Sequence, residues 1–150
     1  GMTVRDNITM SNLSQYCRHS WIRHKEEKRV ADEQIREFSI KTPSAEQIAA
    51  NLSGGNQQKI VLSKTLLCQP EVIILDEPTR GIDVGAKAEI HKMISALASQ
   101  GKGIIMISSE MPEILGMSDR IVVIHEGRKK GELLRENASQ QAIMEMMLAQ

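Results

Sequence analysis

A glycine-rich turn that leads into a helix is the first place where the sequence predicts chemistry. Residues Leu52–Lys59 read LSGGNQQK, and helical periodicity follows from about Asn56 to Cys68. Backbone N–H groups at a helix start attract anions, and glycines let a phosphate approach the backbone closely. Ser53 supplies a hydroxyl donor at the same place. Taken alone, these residues favour a second interpretation, that the turn is only a helix cap.

Two adjacent carboxylates follow the apolar run Val72–Leu75, whose length and composition predict a strand covered on both faces. In an open α/β sheet, ligands bind at the carboxyl ends of the strands. Asp76 there suits a hydrated Mg²⁺, which prefers one or two carboxylates together with phosphate oxygens. Its neighbour Glu77 is placed to polarise an attacking water. Taken alone, the pair is explained equally well as surface carboxylates at the end of a strand.

Strands and helices that position these residues alternate through the second part of the chain. Helical periodicity predicts helices over Ala86–Ser99 and from about Ser139, and short apolar runs predict strands at Ile104–Ile107 and Ile121–Ile124, with an edge strand at Gly131–Leu134. This alternation predicts an α/β fold with a mainly parallel sheet flanked by helices.

The first part of the chain is polar and helical in pattern. Lys25–Phe38 has the periodicity of an amphipathic helix, and Thr42 or Ser44 is placed to cap a second, short helix over Ala45–Ala50. We therefore predict a helical subdomain over residues 1–52 and the remainder of the domain over residues 53–150.

Composition excludes several classes of protein. Hydrophobic residues make up 41% and charged residues 25% of the 150 residues, as in globular proteins rather than disordered ones. The 19 basic and 19 acidic residues balance, so we expect no nucleic acid partner. The longest aliphatic runs are far shorter than the roughly 20 residues of a spanning helix. Cys17 and Cys68 are too few for a disulfide framework and are expected to be reduced thiols in the cytoplasm.

The joint occurrence of the two motifs resembles the ATP-binding cassette (ABC) family. Leu52–Gln58 is similar to its signature motif, Val72–Glu77 to its Walker B strand and Gly81–Asp83 to its D-loop. The finer sequence around these motifs resembles the second cassette of bacterial sugar importers of the ribose and galactoside type, in the stretches Val4–Asn7, Asn56–Lys59, Thr79–Lys87 and Ser108–Pro112.

This resemblance implies a partial P-loop NTPase core that works with ATP and Mg²⁺. It implies Glu77 as the catalytic residue, Asp76 as the metal ligand and Asp83 at a dimer interface. The signature motif is expected to complete the ATP site of a partner cassette. The nucleotide-binding residues are then Ser53, Gly54, Gly55, Asn56, Gln57, Asp83 and Ser109. Most cassettes carry a histidine where this chain has Ser109, so the resemblance implies a degenerate site around Asp76 and Glu77.

No P-loop motif GxxxxGK[ST] occurs in the sequence. The stretch Gly81–Lys87 has the wrong spacing, and Lys102 is followed by Gly103 rather than by a hydroxyl residue. We therefore expect the isolated chain to hydrolyse no ATP and to bind nucleotide weakly or not at all. In the full assembly it is expected at the inner face of the bacterial membrane. Its expected partners are a second cassette, a permease and, indirectly, a sugar-binding protein.

Two alternatives to a part of a sugar-importing ATPase stay open. The first is a truncated, non-catalytic module that docks on a permease or on an intact cassette. An in-frame P-loop upstream in the coding sequence would distinguish a fragment of a fused ATPase from that module. The second is a cassette protein of DNA repair or translation, but the long insertions and signature variants of those proteins are not seen here.

Overall fold

A computed structural model describes residues 1–19 and 21–148 and confirms the α/β fold class. Its helices are α1 (Val4–Thr9), α2 (His24–Glu37), α3 (Gly54–Leu66), α4 (Val84–Ser99), α5 (Met111–Met117) and α6 (Gln140–Leu148). Its strands are β1 (Cys17–Arg18), β2 (Trp21–Ile22), β3 (Val72–Asp76), β4 (Gly103–Ile107), β5 (Arg120–His125) and β6 (Arg128–Leu134). Short 3₁₀ segments lie at Met10–Tyr16, Ala49–Asn51 and Arg135–Asn137. The chain divides into two compact units, 1–73 with 79–104 and 74–78 with 105–150.

The first unit is built mainly from helices. Helix α1 begins with a capping box, in which the Thr3 hydroxyl accepts from the Asp6 N–H and the Asp6 carboxylate accepts from the Thr3 N–H. Val4 and Ile8 of α1 and Ala31 of α2 are fully buried, so these helices share a core. Helix α2 confirms the amphipathic helix predicted over Lys25–Phe38, with a shift of one residue at each end.

The short helix predicted over Ala45–Ala50 is wrong. Apart from the 3₁₀ turn at Ala49–Asn51, this segment is irregular, and Ile48 forms an isolated antiparallel bridge with Thr3. Its carbonyls accept from the start of α1, with the Val4 N–H on Gln47 at 2.8 Å and the Arg5 N–H on Ala45 at 2.9 Å. The carbonyls of Ala45 and Gln47 therefore bond to α1 instead of forming the hydrogen bonds of a helix of their own.

Strands β3 and β4 run parallel. Gly103 N–H donates to the Glu71 carbonyl at one end of the pair, and Glu77 N–H donates to the Ile107 carbonyl at the other. The prediction that β3 is covered on both faces is wrong. Ile73 and Leu75 are buried, whereas Val72 is 57% and Ile74 65% exposed. Side chains of a strand alternate between two faces, and the described residues cover only one of them.

The second unit contains an antiparallel hairpin of β5 and β6, with α6 packed on it. Its two-residue turn is formed by Glu126 and Gly127, which both have positive φ, at 50° and 73°. This is the backbone that a two-residue hairpin turn needs. The core of the unit consists of Ile121, Val123 and Ile143. The predicted strand at Ile121–Ile124 and the edge strand are confirmed, and the edge strand begins three residues earlier than predicted.

No helix within the described residues is long and apolar enough to cross a membrane.

Candidate functional site

The predicted phosphate-binding turn lies at the start of α3. Ser53 has extended backbone angles (φ −61°, ψ 154°), and Gly54 is the first helical residue. The Ser53 hydroxyl is exposed and does not cap the helix. It accepts a hydrogen bond from Asn56 Nδ2 at 2.9 Å instead, which leaves the hydroxyl proton available to donate. The hydroxyl therefore does not serve as the helix cap that the second interpretation of this turn required.

Two polar side chains hold the turn in place. Asn56 Oδ1 accepts from the backbone N–H of Lys41 at 2.8 Å, so Asn56 links Ser53 to the loop that follows α2. Gln57 Nε2 donates to the carbonyl of Leu52 at 2.8 Å. Both amides were predicted to contact nucleotide. In this structure each already makes a bond that shapes the turn.

The two glycines of the turn are needed because α3 and α4 approach each other closely. A Cβ added at Gly55 would lie 2.6 Å from the Cβ of Ala86, a distance that real Cβ atoms do not show. A Cβ at Gly54 would lie 3.3 Å from Cγ2 of Ile82. The segment Gly81–Asp83 and the first turn of α4 therefore lie directly against the signature-like turn.

Asp83 begins α4. Its Oδ1 accepts from the Ala86 N–H at 2.9 Å, an aspartate N-cap, and the residue is exposed. The structure thus gives Asp83 a local role in the fold. The predicted role of Asp83 at a dimer interface stays a prediction.

We expect Asp83→Ala to lower the free energy of unfolding by about 1 kcal/mol, because the first turn of α4 loses its cap. Urea denaturation followed by circular dichroism measures this. Asp83→Asn is the matched control, since its side-chain oxygen can still accept from Ala86, and it should lose much less. An alanine variant as stable as the parent would contradict the capping role.

The two carboxylates after β3 belong to the second unit. Asp76 is the last residue of β3 and is exposed. Glu77 is half-buried and has a left-handed backbone, with φ at 48°. Its Oε1 accepts from the Ser109 N–H at 3.0 Å, while its own N–H donates to Ile107. The structure therefore brings Glu77 and Ser109 together through the Ser109 backbone, and the Ser109 hydroxyl makes no part of that contact.

A metal ion would have to rely on Asp76. Among the described residues no three His, Cys, Asp or Glu side chains are grouped to hold a metal. A single exposed carboxylate fits Mg²⁺ that takes its other ligands from phosphate and water. The residues present therefore fit the predicted role of Asp76.

A cavity of about 450 Å³ lies in the first unit. Its lining includes Phe38, Leu66, Met93 and Leu97, near the C-terminal ends of α2, α3 and α4. It contains none of the predicted site residues.

Comparison with known proteins identifies the family. The sequence profile described as ABC transporter matches residues 1–80, more than half of the chain. The chain belongs to the ABC transporter family. The ribose import ATP-binding protein RbsA of Clostridium perfringens is 52% identical over 147 residues, which cover 97% of this chain and 29% of that protein. RbsA of Bacillus licheniformis is 52% identical over 142 residues, 95% of this chain and 29% of that protein.

Solved ABC cassettes share the fold. An ATP-binding cassette of an ABC transporter aligns with a TM-score of 0.78 at 21% identity, covering 99% of this chain and 63% of that one. A dimeric cassette in a post-hydrolysis state, bound to ADP and Pi, aligns with a TM-score of 0.73 at 20% identity, covering 89% and 57%. The chain spans less than a third of the length of the curated ABC relatives given above.

Sequence reasoning assigned no role to one further residue of this ABC chain, Lys59. It lies on α3 one turn after Gly55 and is buried, with its ammonium bonded to Glu89 of α4. The helical spacing of the residues indicates this position, since it places Lys59 on the same face of α3 as Gly55, Leu62 and Ser63. All of these residues are buried. A lysine on an inward face predicts a polar partner within hydrogen-bond distance of its ammonium group.

Proposed function

We propose that this chain is the signature-motif part of an ABC nucleotide-binding domain that drives the import of a monosaccharide. The observation that supports this best is the Ser53 hydroxyl at the start of α3, within the sequence LSGGNQQK. This hydroxyl is exposed and does not cap the helix. The names of the relatives at 52% identity, which are ribose import ATP-binding proteins, support the sugar class.

The signature turn would act on ATP that is held by a partner cassette. The Ser53 hydroxyl and the N–H groups of Gly54 and Gly55 would donate hydrogen bonds to the γ-phosphate, where the start of a helix favours negative charge. Asn56 orients the Ser53 hydroxyl by donating to its oxygen. Asp83, beside this turn, would lie at the contact between the two cassettes.

The carboxylates of the second unit would serve the ATP site of the chain's own cassette. Asp76 would hold Mg²⁺, which supplies charge neutralisation on the phosphates, and Glu77 would orient the attacking water. Ser109 presents its N–H, not an imidazole, to Glu77. We therefore propose that this site is weak and that the signature turn makes the larger contribution.

The first test is association with a separately produced cassette that carries its own P-loop, measured by calorimetry. We expect binding with ATP and Mg²⁺ present and at least about tenfold weaker binding without ATP, a difference of about 1.4 kcal/mol. The chain alone should show no ATP turnover above a blank, because it has no P-loop. Turnover by the chain alone that Glu77→Gln abolishes would contradict this.

A non-catalytic docking module is the second candidate, and the same experiment separates it. Such a module would bind the cassette, or a permease, equally well with and without ATP. Binding that needs ATP supports the signature-motif function.

A further inference from the structure

The signature helix α3 carries a buried ammonium group. Lys59 is 3% exposed, and its Nζ bonds Glu89 Oε2 of α4 at 2.6 Å and the carbonyl of Ser39 at 3.0 Å. A buried charge needs such partners, because the loss of water around it is unfavourable. The hydrogen bond from Lys59 lowers the pKa of Glu89, so this carboxylate is ionised at neutral pH.

Both partners of Lys59 belong to segments that shape the signature turn. Ser39 follows α2, and two residues later the N–H of Lys41 donates to Asn56, which in turn orients Ser53. Ser39 has a left-handed backbone, with φ at 48°, an unfavourable conformation for a residue with a Cβ. The bond from Lys59 is one contact that holds its carbonyl in this orientation.

Glu89, the other partner of Lys59, connects α3 to α4. Glu89 lies one turn after Ala86, the residue that touches Gly55. Lys59 lies one turn after Gly55 on α3. The ion pair therefore joins the same two helices one turn beyond the Gly55–Ala86 contact. A rotation or slide of α3 along α4 would break the pair.

We propose that Lys59 is a positioning residue, which fixes α3 against α4 and thereby aims the Ser53 hydroxyl and the first N–H groups of the helix. This inference rests on the proposed function of the signature turn. Lys59 does not itself reach the turn's exposed surface, so it acts through the helix.

We expect Lys59→Met to weaken ATP-dependent association with the partner cassette by about tenfold or more. Its urea unfolding midpoint should stay near that of the parent. Methionine fills the same buried space without a charge, and Glu89, whose side chain is 49% exposed, remains in contact with solvent. Lys59→Arg keeps the charge and should restore most of the affinity.

Matched variants distinguish the loss of the ion pair from other effects of replacing a lysine by methionine. Lys92→Met makes the same substitution at an exposed position on α4 and should bind like the parent. Adding Glu89→Gln to Lys59→Met should weaken association no further, because the two single changes remove the same contact. Binding by Lys59→Met at the parent's affinity would overturn the proposal. So would a loss of binding that only follows a loss of stability.

Hydrogen exchange tests the inference without ATP or a partner. The amides of Gln57 and Lys41, which donate to the Ser53 carbonyl and to Asn56, should exchange faster in Lys59→Met than in the parent, while those of α6 should not change. Unchanged exchange at both amides overturns the positioning role. If the parent chain binds no cassette, the proposed function fails, and the exchange measurement still decides whether Lys59 fixes α3.

Discussion

Gly55→Ala is expected to lower the free energy of unfolding by about 1–3 kcal/mol, although alanine is the better helix former. The added methyl would lie 2.6 Å from the Cβ of Ala86, so α3 and α4 must separate to admit it. Because both atoms belong to short side chains near the backbone, neither can turn aside. The separation would also move Ser53, so ATP-dependent association should fall with stability. Urea denaturation and calorimetry measure the two effects.

Gly116→Ala is the matched control for this change. Gly116 also lies within a helix, α5, and an added Cβ there meets no atom within 4 Å. The same substitution should therefore raise stability by up to about 1 kcal/mol through helix propensity alone. A change in the free energy of unfolding with opposite signs at the two positions would establish the close approach of α3 and α4. A Gly55→Ala variant as stable as the parent would refute it.

The periodic elements were predictable because their signals are local. Helices α2, α3 and α4 and the strands β3 to β5 begin and end within a few residues of their predicted bounds. Each is encoded by apolar spacing along its own stretch, and Pro70, Gly101 and Gly127 follow the ends of α3, α4 and β5. The segment Ala45–Ala50 was not predictable in this way, because its backbone bonds go to α1, about forty residues earlier.

The exposure of β3 depends on what lies beside it. The run Val72–Leu75 predicts a strand correctly, but the sequence does not say which elements cover its two faces. Val72 and Ile74 are more than half exposed, and their neighbours Ile73 and Leu75 are buried. Apolar composition fixes the preference for burial, whereas the packing of other segments decides whether it is met.

The sequence names the candidate site residues, whose roles stay predictions, but it does not give the bonds that they make. The motif LSGGNQQK identified Ser53 and the two glycines, since a phosphate-binding turn needs small residues at a helix start. The bonds that hold Asn56 and Lys59 come from the loop after α2, and their geometry follows from tertiary structure. The close contact of Gly55 with Ala86 has the same origin.

Ser53→Arg should weaken ATP-dependent association by about a hundredfold, or about 2.7 kcal/mol. The change removes the hydroxyl donor and places a long side chain where the γ-phosphate would bind. It also removes the oxygen that Asn56 Nδ2 contacts, so the turn loses part of its support. The stability of the chain should change by no more than about 0.5 kcal/mol, because Ser53 is exposed and does not cap α3.

Ser95→Arg is the matched control, with the same substitution at an exposed serine of α4 in the same unit. It adds the same positive charge, so an electrostatic attraction between arginine and ATP would affect both variants alike. Loss of association in Ser53→Arg alone therefore reports contact at the signature turn. Ser53→Ala removes only the hydroxyl and should lower the affinity about tenfold. This variant distinguishes the loss of the donor from the steric effect of the arginine side chain. If Ser53→Arg binds as tightly as the parent in ATP, the turn does not face the nucleotide, and the sequence resemblance alone cannot support a role for it there.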